Sequence, residues 1–453
     1  MTETQNERES LLASLFACLP ADHCRASMMD SLSIVLEQMK VSGGIEEEEA
    51  LRTKLDTILR ALEENTDVRE PCIQAGLVSA LVPLLETSDQ ELLLHTGQAI
   101  GRLCFDNNSQ QEALVQCGVI PRLVRIMKQF PENDVLVNVC LLALCNLADL
   151  DSAREALIEM HVTEVLTVQL RHTSNAERRH VILEVLGALG ESNGNCIHMV
   201  DSGVVSQILD LLERHVDEGD VSVQQAALSA LRNLAIPAVN KVRMLQDGVS
   251  ERIRKLLCSE MPPVQFKLLG MLRMMVDGQE EAAAVLGQDE ALLYRVMQWC
   301  DARDHAGMRG EANRLLAALI RHSRAPEVVK AVTQAEGVQH LITMAMNEHV
   351  IMQNKALVAL AIASTIDIDA VEEPFMSAGL LSTLQQMLED PVAAVEVKFS
   401  TVGLVCSLVN SVELRSQMEA LALRETLGQL RNHSNSKLAS QADTALSILA
   451  ETS

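Results

Sequence analysis

The sequence predicts an all-α protein, a right-handed superhelical solenoid of repeated three-helix units. Three observations predict it. Apolar residues make up 48% of the chain, yet aromatic residues only 2%. Leu, Ala, Val, Ile and Met therefore carry the core, which suits helix-on-helix packing better than a β-rich interior. A glycine-centred phrase recurs with a period of about 42–45 residues. Each recurrence leads into a polar turn and then a long apolar run at helical spacing.

The recurring phrase reads QAGLVSALVPLL at Gly76, QCGVIPRLVRIM at Gly118 and DSGVVSQILDLL at Gly203. It returns as QDGVSERIRKLL at Gly248, AEGVQHLITMAM at Gly337 and SAGLLSTLQQML at Gly379. Between Gly118 and Gly203, EMHVTEVLTVQL places His161 in the glycine slot, and ALLYRVMQWC fills the slot before Gly337. A degenerate copy opens near ALALRETLGQLRN. In each unit a short helix stops at the glycine, which can take the left-handed conformation of a helix end. A second helix follows, with Pro121 near one start, where a missing N–H costs nothing. A polar turn such as ETSDQE or LERHVDEGD comes next, and then a longer third helix, as in VSVQQAALSALRNLA. Helix, glycine, helix, turn and long helix is the armadillo pattern. A two-helix unit would not need the short first helix.

The expected organisation is about nine armadillo units in one continuous solenoid over residues 66–453, preceded by capping helices and a degenerate repeat over 1–65. Ala50 to Asp67 reads as an amphipathic helix, and SGGIEEEE at 42–49 as a linker. LLASLFACL and MMDSLSIVLEQM read as capping helices.

Charge narrows the partners. There are 62 Asp and Glu against 37 Lys and Arg, a formal charge of -25. Nucleic acid and anionic membrane surfaces are disfavoured, and a basic protein segment is favoured. The same acidity also keeps a long helical array soluble. The eleven cysteines are scattered without a CxxC pair, as small buried hydrophobes in a reducing cytosol. The chain opens on the polar MTETQNERES, and no apolar run approaches the ~20 residues that span a bilayer. No phosphate-binding loop, dinucleotide fingerprint, zinc-protease, hydrolase-elbow or EF-hand pattern is present. Cys300, Asp304 and His305 read as an ordinary turn, and the Met clusters as core filler. The expectation is no catalytic residue, cofactor or metal.

In a right-handed stack of such units the third helices line a groove. With ALSALRNLA as ruler, one rung per unit reads Arg102, Asn146, Ala188, Asn233, Met274, Arg321 and Ile362. An asparagine rung can bond the backbone of an extended chain in the groove, or the backbone of the neighbouring unit, holding the stack in register. Readers of nuclear localisation signals need a regular Trp–Asn array, and Trp299 is the one tryptophan. A basic groove for acidic ligands, as in β-catenin, has the opposite sign to this composition. Glu177 and Glu184 lie about two turns apart on one helix and share a face. With Asp149 and Asp151 they can form an acidic patch near Asn146, diluted by Arg178 and Arg179. Alternatively they are a solvated face with local Glu–Arg pairs of little energy.

Four long phrases carry a resemblance: NCIHMVDSGVVSQILDLLERHVDEGDVSVQQAALSALRNLAIPAVNK, SEMPPVQFKLLGMLRMMVD, DHAGMRGEANRLLAALIRHS and NEHVIMQNKALVAL. They resemble the small-GTPase GDP dissociation stimulators (the SmgGDS family), which are armadillo proteins. The likeness is near-continuous from about residue 195 to 365, fair from 70 to 185 and weak in the first 65. About two repeats of the family's full form look absent around Leu186 to Val200.

The resemblance implies a monomeric cytoplasmic, also nuclear, binder of Rho, Rap and Ras-like GTPases, engaging their polybasic prenylated tails and switch regions. It implies a chaperone and a stimulator of GDP release with no covalent chemistry. Of the family's rung asparagines one matches Asn233, with Asn146 its counterpart by spacing, and another falls on Ala188. Its acidic patch matches Glu177 and Glu184, with His180 in place of a third acid. The family's prenyl pocket lies among early repeats and is not carried over. The alternative is an armadillo scaffold for other partners, without exchange activity.

Overall fold

A computed structural model describes residues 76–215 and 220–451, together with Arg52, Leu55, Asp56 and Leu59. The expected capping helices and linker of residues 1–49 lie outside the described residues. Those described form helices and no strand.

The chain divides into two compact units, Met1–Gln207 and Ile208–Ser453. The first holds α1 (Leu77–Leu84), α2 (Gln90–Leu103), α3 (Asn108–Gln116), α4 (Val119–Gln129) and α5 (Asp134–Leu147). It continues with α6 (Asp151–Glu159), α7 (Val162–His172), α8 (Ala176–Leu189) and α9 (Asn193–Asp201). The next helix in sequence, α10 (Val204–His215), runs across the division. The second unit then holds α11 (Val221–Leu234), α12 (Ala238–Gln246), α13 (Val249–Arg252, extended by a 3₁₀ turn over Ile253–Cys258) and α14 (Pro262–Val276). It goes on through α15 (Glu280–Gly287), α16 (Glu290–Cys300), α17 (Ala306–Ser323), α18 (Pro326–Gln334), α19 (Gly337–Ala345) and α20 (Val350–Ile366). It ends with α21 (Ile368–Ser377), α22 (Leu380–Glu389), α23 (Val395–Leu408), α24 (Val412–Ala420), α25 (Leu423–Leu430) and α26 (Ser436–Glu451).

The short-middle-long order of the sequence thus repeats as helix triplets. Gly76, Gly118, Gly203, Gly248 and Gly379 are left-handed, with φ between 67° and 91°. They make the stop without a Cβ clash. His161 takes the same conformation at φ 53°, as its slot requires, and so does Ala422 at the start of α25. Gly337 departs from the pattern: Glu336 is the left-handed residue at φ 64°, and Gly337 opens α19. A Cβ on Gly337 would sit 2.7 Å from Val332 Cγ1 and 3.2 Å from Leu316 Cδ1, so here glycine serves close packing. Before α16 there is no left-handed residue: Asp289 caps instead, accepting from the Ala291 and Leu292 amides.

The long third helices carry the core. α2 packs on α5 and α5 on α8 in the first unit; α11, α14, α17, α20, α23 and α26 pack in succession in the second. In α5, Val137, Cys140, Leu141 and Leu144 are buried at helical spacing. Each such side chain contributes about 1.5–3 kcal/mol on leaving water. Where two third helices meet, Gly97 on α2 admits Val139 of α5, whose Cγ1 would lie 2.6 Å from any added Cβ. Trp299, near the end of α16, is 3% exposed with the Arg295 guanidinium 5.3 Å from its ring, so it cannot form a groove wall.

Candidate functional site

The rung position falls where the sequence ruler puts it on four helices. α2, α5, α8 and α11 each have 14 residues, and Arg102, Asn146, Ala188 and Asn233 are the penultimate ones. On α17 the burial phase corrects the ruler by one residue. In α14 the half-exposed Arg273 and Met274 precede buried Met275; in α17 exposed Arg321 and half-exposed His322 precede buried Ser323. His322 is therefore the rung, and Arg321 stands just ahead of it.

The rungs reach back along the stack. Arg102 Nη1 donates to the Leu59 carbonyl at 3.3 Å, and Asn146 Nδ2 to the Gly101 carbonyl at 3.1 Å. His322 Nδ1 accepts from the Gly278 amide at 3.2 Å, and the Ser407 hydroxyl on α23 meets that of Ser364 at 2.7 Å. Each partner lies 43–45 residues earlier in the chain, one repeat back. Such bonds satisfy backbone groups at helix ends and fix register between units. Asn146 spends one amide hydrogen this way; its oxygen accepts none from the described residues. Asn233, half-buried in the second unit, has its amide oxygen 3.5 Å from Arg232 Nη1.

Glu177 and Glu184 are both exposed on α8, Glu177 in its first turn where a carboxylate suits the helix dipole. Glu184 Oε1 lies 3.2 Å from His180 Nε2, and its Oε2 accepts from Cys145 Sγ at 3.7 Å across to α5. This joins Glu184 to the residue beside Asn146. Burial, then the Glu184 charge and hydrogen bond, then Asp149, push the Cys145 thiol up to about 12. The thiol is therefore a proton donor to Glu184 and no nucleophile near neutral pH.

Arg178 and Arg179 make no ion pair with Glu177 or Glu184; Arg178 pairs instead with the Asp134 carboxylate at 2.7 Å. Arg178 is buried and turns to α5, donating from Nε to Asn138 Oδ1 at 2.6 Å and from Nη2 to the Asp134 carbonyl at 3.1 Å. Arg179 Nη2 donates to the Thr173 carbonyl at 3.1 Å. Asp151, by contrast, is committed to Arg154, which also reaches Glu191 at 3.3 Å. Of the expected acidic patch, Glu177, Glu184 and Asp149 make no ion pair with an arginine among the described residues.

Sequence reasoning missed a feature of opposite sign. In the second unit arginine precedes the rung three times in succession, as Arg232, Arg273 and Arg321. The signal was present in LRN, LRM and IRH, and net charge hid it. A cleft of about 480 Å³ between α20 and α23 is lined by Val358, Ile362, Phe399, Leu404 and Arg324.

Segments 107–149 and 192–236 match the armadillo/beta-catenin-like repeat model. They coincide with the triplets α3–α5 and α9–α11. Among solved structures, an engineered protein overlays with a TM-score of 0.75 at 21% identity, covering 98% of this chain and 99% of its own. A structure from work on the phosphorylation switch between cadherin and beta-catenin overlays at 0.73 and 17% identity, covering 100% of this chain and 89% of its own. At these identities the likeness shows the fold. Helix triplets, left-handed stops and stacked third helices define an armadillo-repeat protein.

Among curated proteins, Rap1 GTPase-GDP dissociation stimulators 1-B and 1-A of Xenopus laevis are each 35% identical over 531 residues, covering 86% of this chain and 88% of theirs. The GTPase-GDP dissociation stimulator vimar of Drosophila melanogaster is 32% identical over 243 residues, covering 47% of this chain and 37% of its own. The chain belongs to the GTPase-GDP dissociation stimulator family. An alignment of 531 residues exceeds the 453 of this chain, so the relatives carry segments it lacks. No helix among the described residues is long and apolar enough to cross a membrane.

Proposed function

We propose that this protein binds small GTPases of the Ras and Rho families that carry polybasic, prenylated tails, shielding them as a chaperone and stimulating GDP release. The observation that carries the reading is 35% identity over most of both chains with proteins named Rap1 GTPase-GDP dissociation stimulators. In this reading the exposed carboxylates Glu177 and Glu184 attract the basic tail, and the rung amides of Asn146 and Asn233 contact the GTPase. For Asn146 this contact uses the oxygen and the amide hydrogen not bound to Gly101. No bond is broken in exchange; binding favours a nucleotide-poor GTPase conformation and so speeds GDP loss. The binder acts in the cytoplasm, as a monomer, without a cofactor.

His180 moderates the acidic patch. Its contact with Glu184 shares that carboxylate, and it stands where the resemblance places a third acid. Ala188 offers no amide to a partner, so tail capture is expected to outlast exchange. The test is capture and GDP-release measurement with one Rho and one Rap protein, each with and without the prenyl group. The reading expects prenylated forms to be retained preferentially. Equal failure to retain all four would leave the scaffold alternative.

A further inference from the structure

The second unit carries charges that a polybasic tail cannot use. Arg232 on α11, Arg273 on α14 and Arg321 on α17 stand just ahead of the rung, with Arg314 and Lys355 flanking them on α17 and α20. These four helices pack in succession. A Cβ on Gly270 of α14 would lie 3.9 Å from Arg232 Cδ, so the Arg232 stem lies across the next helix. Arg314 Nε lies 3.3 Å from Met352 Sδ on α20.

Two carboxylates serve this group, Glu311 through ion pairs and Asp277 through its charge on Lys355. Glu311 receives Arg273 at 2.8 Å and Arg314 at 2.6 Å. Arg321 and Lys355 make no hydrogen bond or ion pair with any described residue, though the Asp277 charge reaches Lys355. Elsewhere in the same unit arginines are paired: Arg252 with Asp210 and Glu213, Arg295 with Glu260. The dipole of a helix C-terminus accounts for Arg232, Arg273 and Arg321. It does not account for Lys355, well inside the N-terminal half of α20. Burial and the neighbouring Arg273, Arg314 and Arg321 disfavour its charge. Asp277 favours that charge but is itself paired with His322, so five cations face two carboxylates and leave a net positive surface suited to a partner's acid.

Exposed apolar groups lie on these helices and on the next one, α23. Phe266 and Phe399 are exposed by 42% and 41%, and Ile362 opens the cleft between α20 and α23. Arginine and aromatic side chains are what protein interfaces enrich.

We infer that this face of the second unit docks an acidic segment of a protein partner bearing a large apolar side chain. Carboxylates pair with Arg232, Arg321 and Lys355, and the apolar side chain enters the cleft beside Ile362 and Phe399. The inference goes beyond the tail reading, because a polybasic tail is repelled here. An overall charge of -25 and the apolar cleft favour protein over nucleic acid.

The test uses the full chain and a short fluorescein-labelled peptide of Asp, Glu and Ser with one central Leu. A copy with Ser in place of Leu and an oligothymidine serve as comparisons, all read by polarisation at low salt. Arg321→Glu with Lys355→Glu is expected to weaken peptide binding at least about tenfold, and the Leu-to-Ser change to weaken it further toward background. Lys355→Gln alone gives the same direction if double charge reversal perturbs helicity. Unchanged binding in these variants, or oligothymidine binding as tightly as the peptide, overturns the proposal.

Discussion

Asn146 donates its side-chain amide to the Gly101 carbonyl oxygen at 3.1 Å, from the end of one third helix to the end of the preceding one. Arg102, His322 and Ser407 make the equivalent backward bond with different chemistry. A rung is thus a register device first, and any partner contact is added to that duty. Asn146→Ala should cost about 1 kcal/mol, because the half-exposed Gly101 carbonyl loses its amide donor and keeps only the weak Cys104 thiol donor at 3.4 Å. Urea unfolding of the full chain checks this, and an unchanged midpoint would remove the register role.

Arg178 should matter more than the exposed acids around it. Its buried fork holds Asn138 and Asp134 of α5 against α8. Arg178→Leu should destabilise by about 2 kcal/mol: two hydrogen bonds and the Asp134 ion pair are lost, yet the exposed Asp134 carboxylate stays solvated. Glu177→Gln, on the same helix and exposed, should change the midpoint by less than about 0.5 kcal/mol. Comparable losses for both would contradict the buried fork.

Glu184→Gln should bring the Cys145 thiol down from about 12, since the Glu184 charge and hydrogen bond both raise it. Burial is the larger cause and persists, so the thiol should stay above its ordinary value. Peptide-resolved alkylation against pH reads this directly, with exposed Cys117 and Cys258 as internal references. Cys145 labelling should begin at lower pH in the variant, with the references unmoved.

His322 gives a pH dependence. Its Nδ1 accepts the Gly278 amide, which requires that nitrogen unprotonated. Burial holds its pKa below the ordinary value; Asp277 opposes this, and Arg321, Lys241 and Lys355 add to it. The unfolded chain therefore takes the proton first on acidification. The contribution to stability is complete above about pH 6.5 and is lost as pH falls from there through the folded pKa. His322→Gln should flatten the fall in melting temperature between about pH 6.5 and 5.

Much of the fold was legible because each unit repeats the same local choices. The glycine slot fixed the helix stops, and even His161 was found in it by spacing alone. The Gly337 slot misled by one residue because a glycine needed for packing stood beside the left-handed position. The rung on α17 slipped likewise: Arg321 and His322 are both polar at a helix end, and only burial phase separates them. The direction of Arg178 was not legible, since a long side chain can turn to solvent or to the neighbouring unit from the same position. The basic series was written in the chain but masked by the overall charge of -25.

In the proposed function the acidic face of α8 captures a polybasic, prenylated GTPase tail. The most direct measurement is retention of a prenylated, polybasic Rho or Rap protein by wild type and by Glu177→Lys with Glu184→Lys, at about 0.15 M salt. Both residues are exposed, so the variant should fold as wild type does. At least about tenfold weaker retention at equal protein concentration is the predicted result. Retention equal to wild type would contradict it.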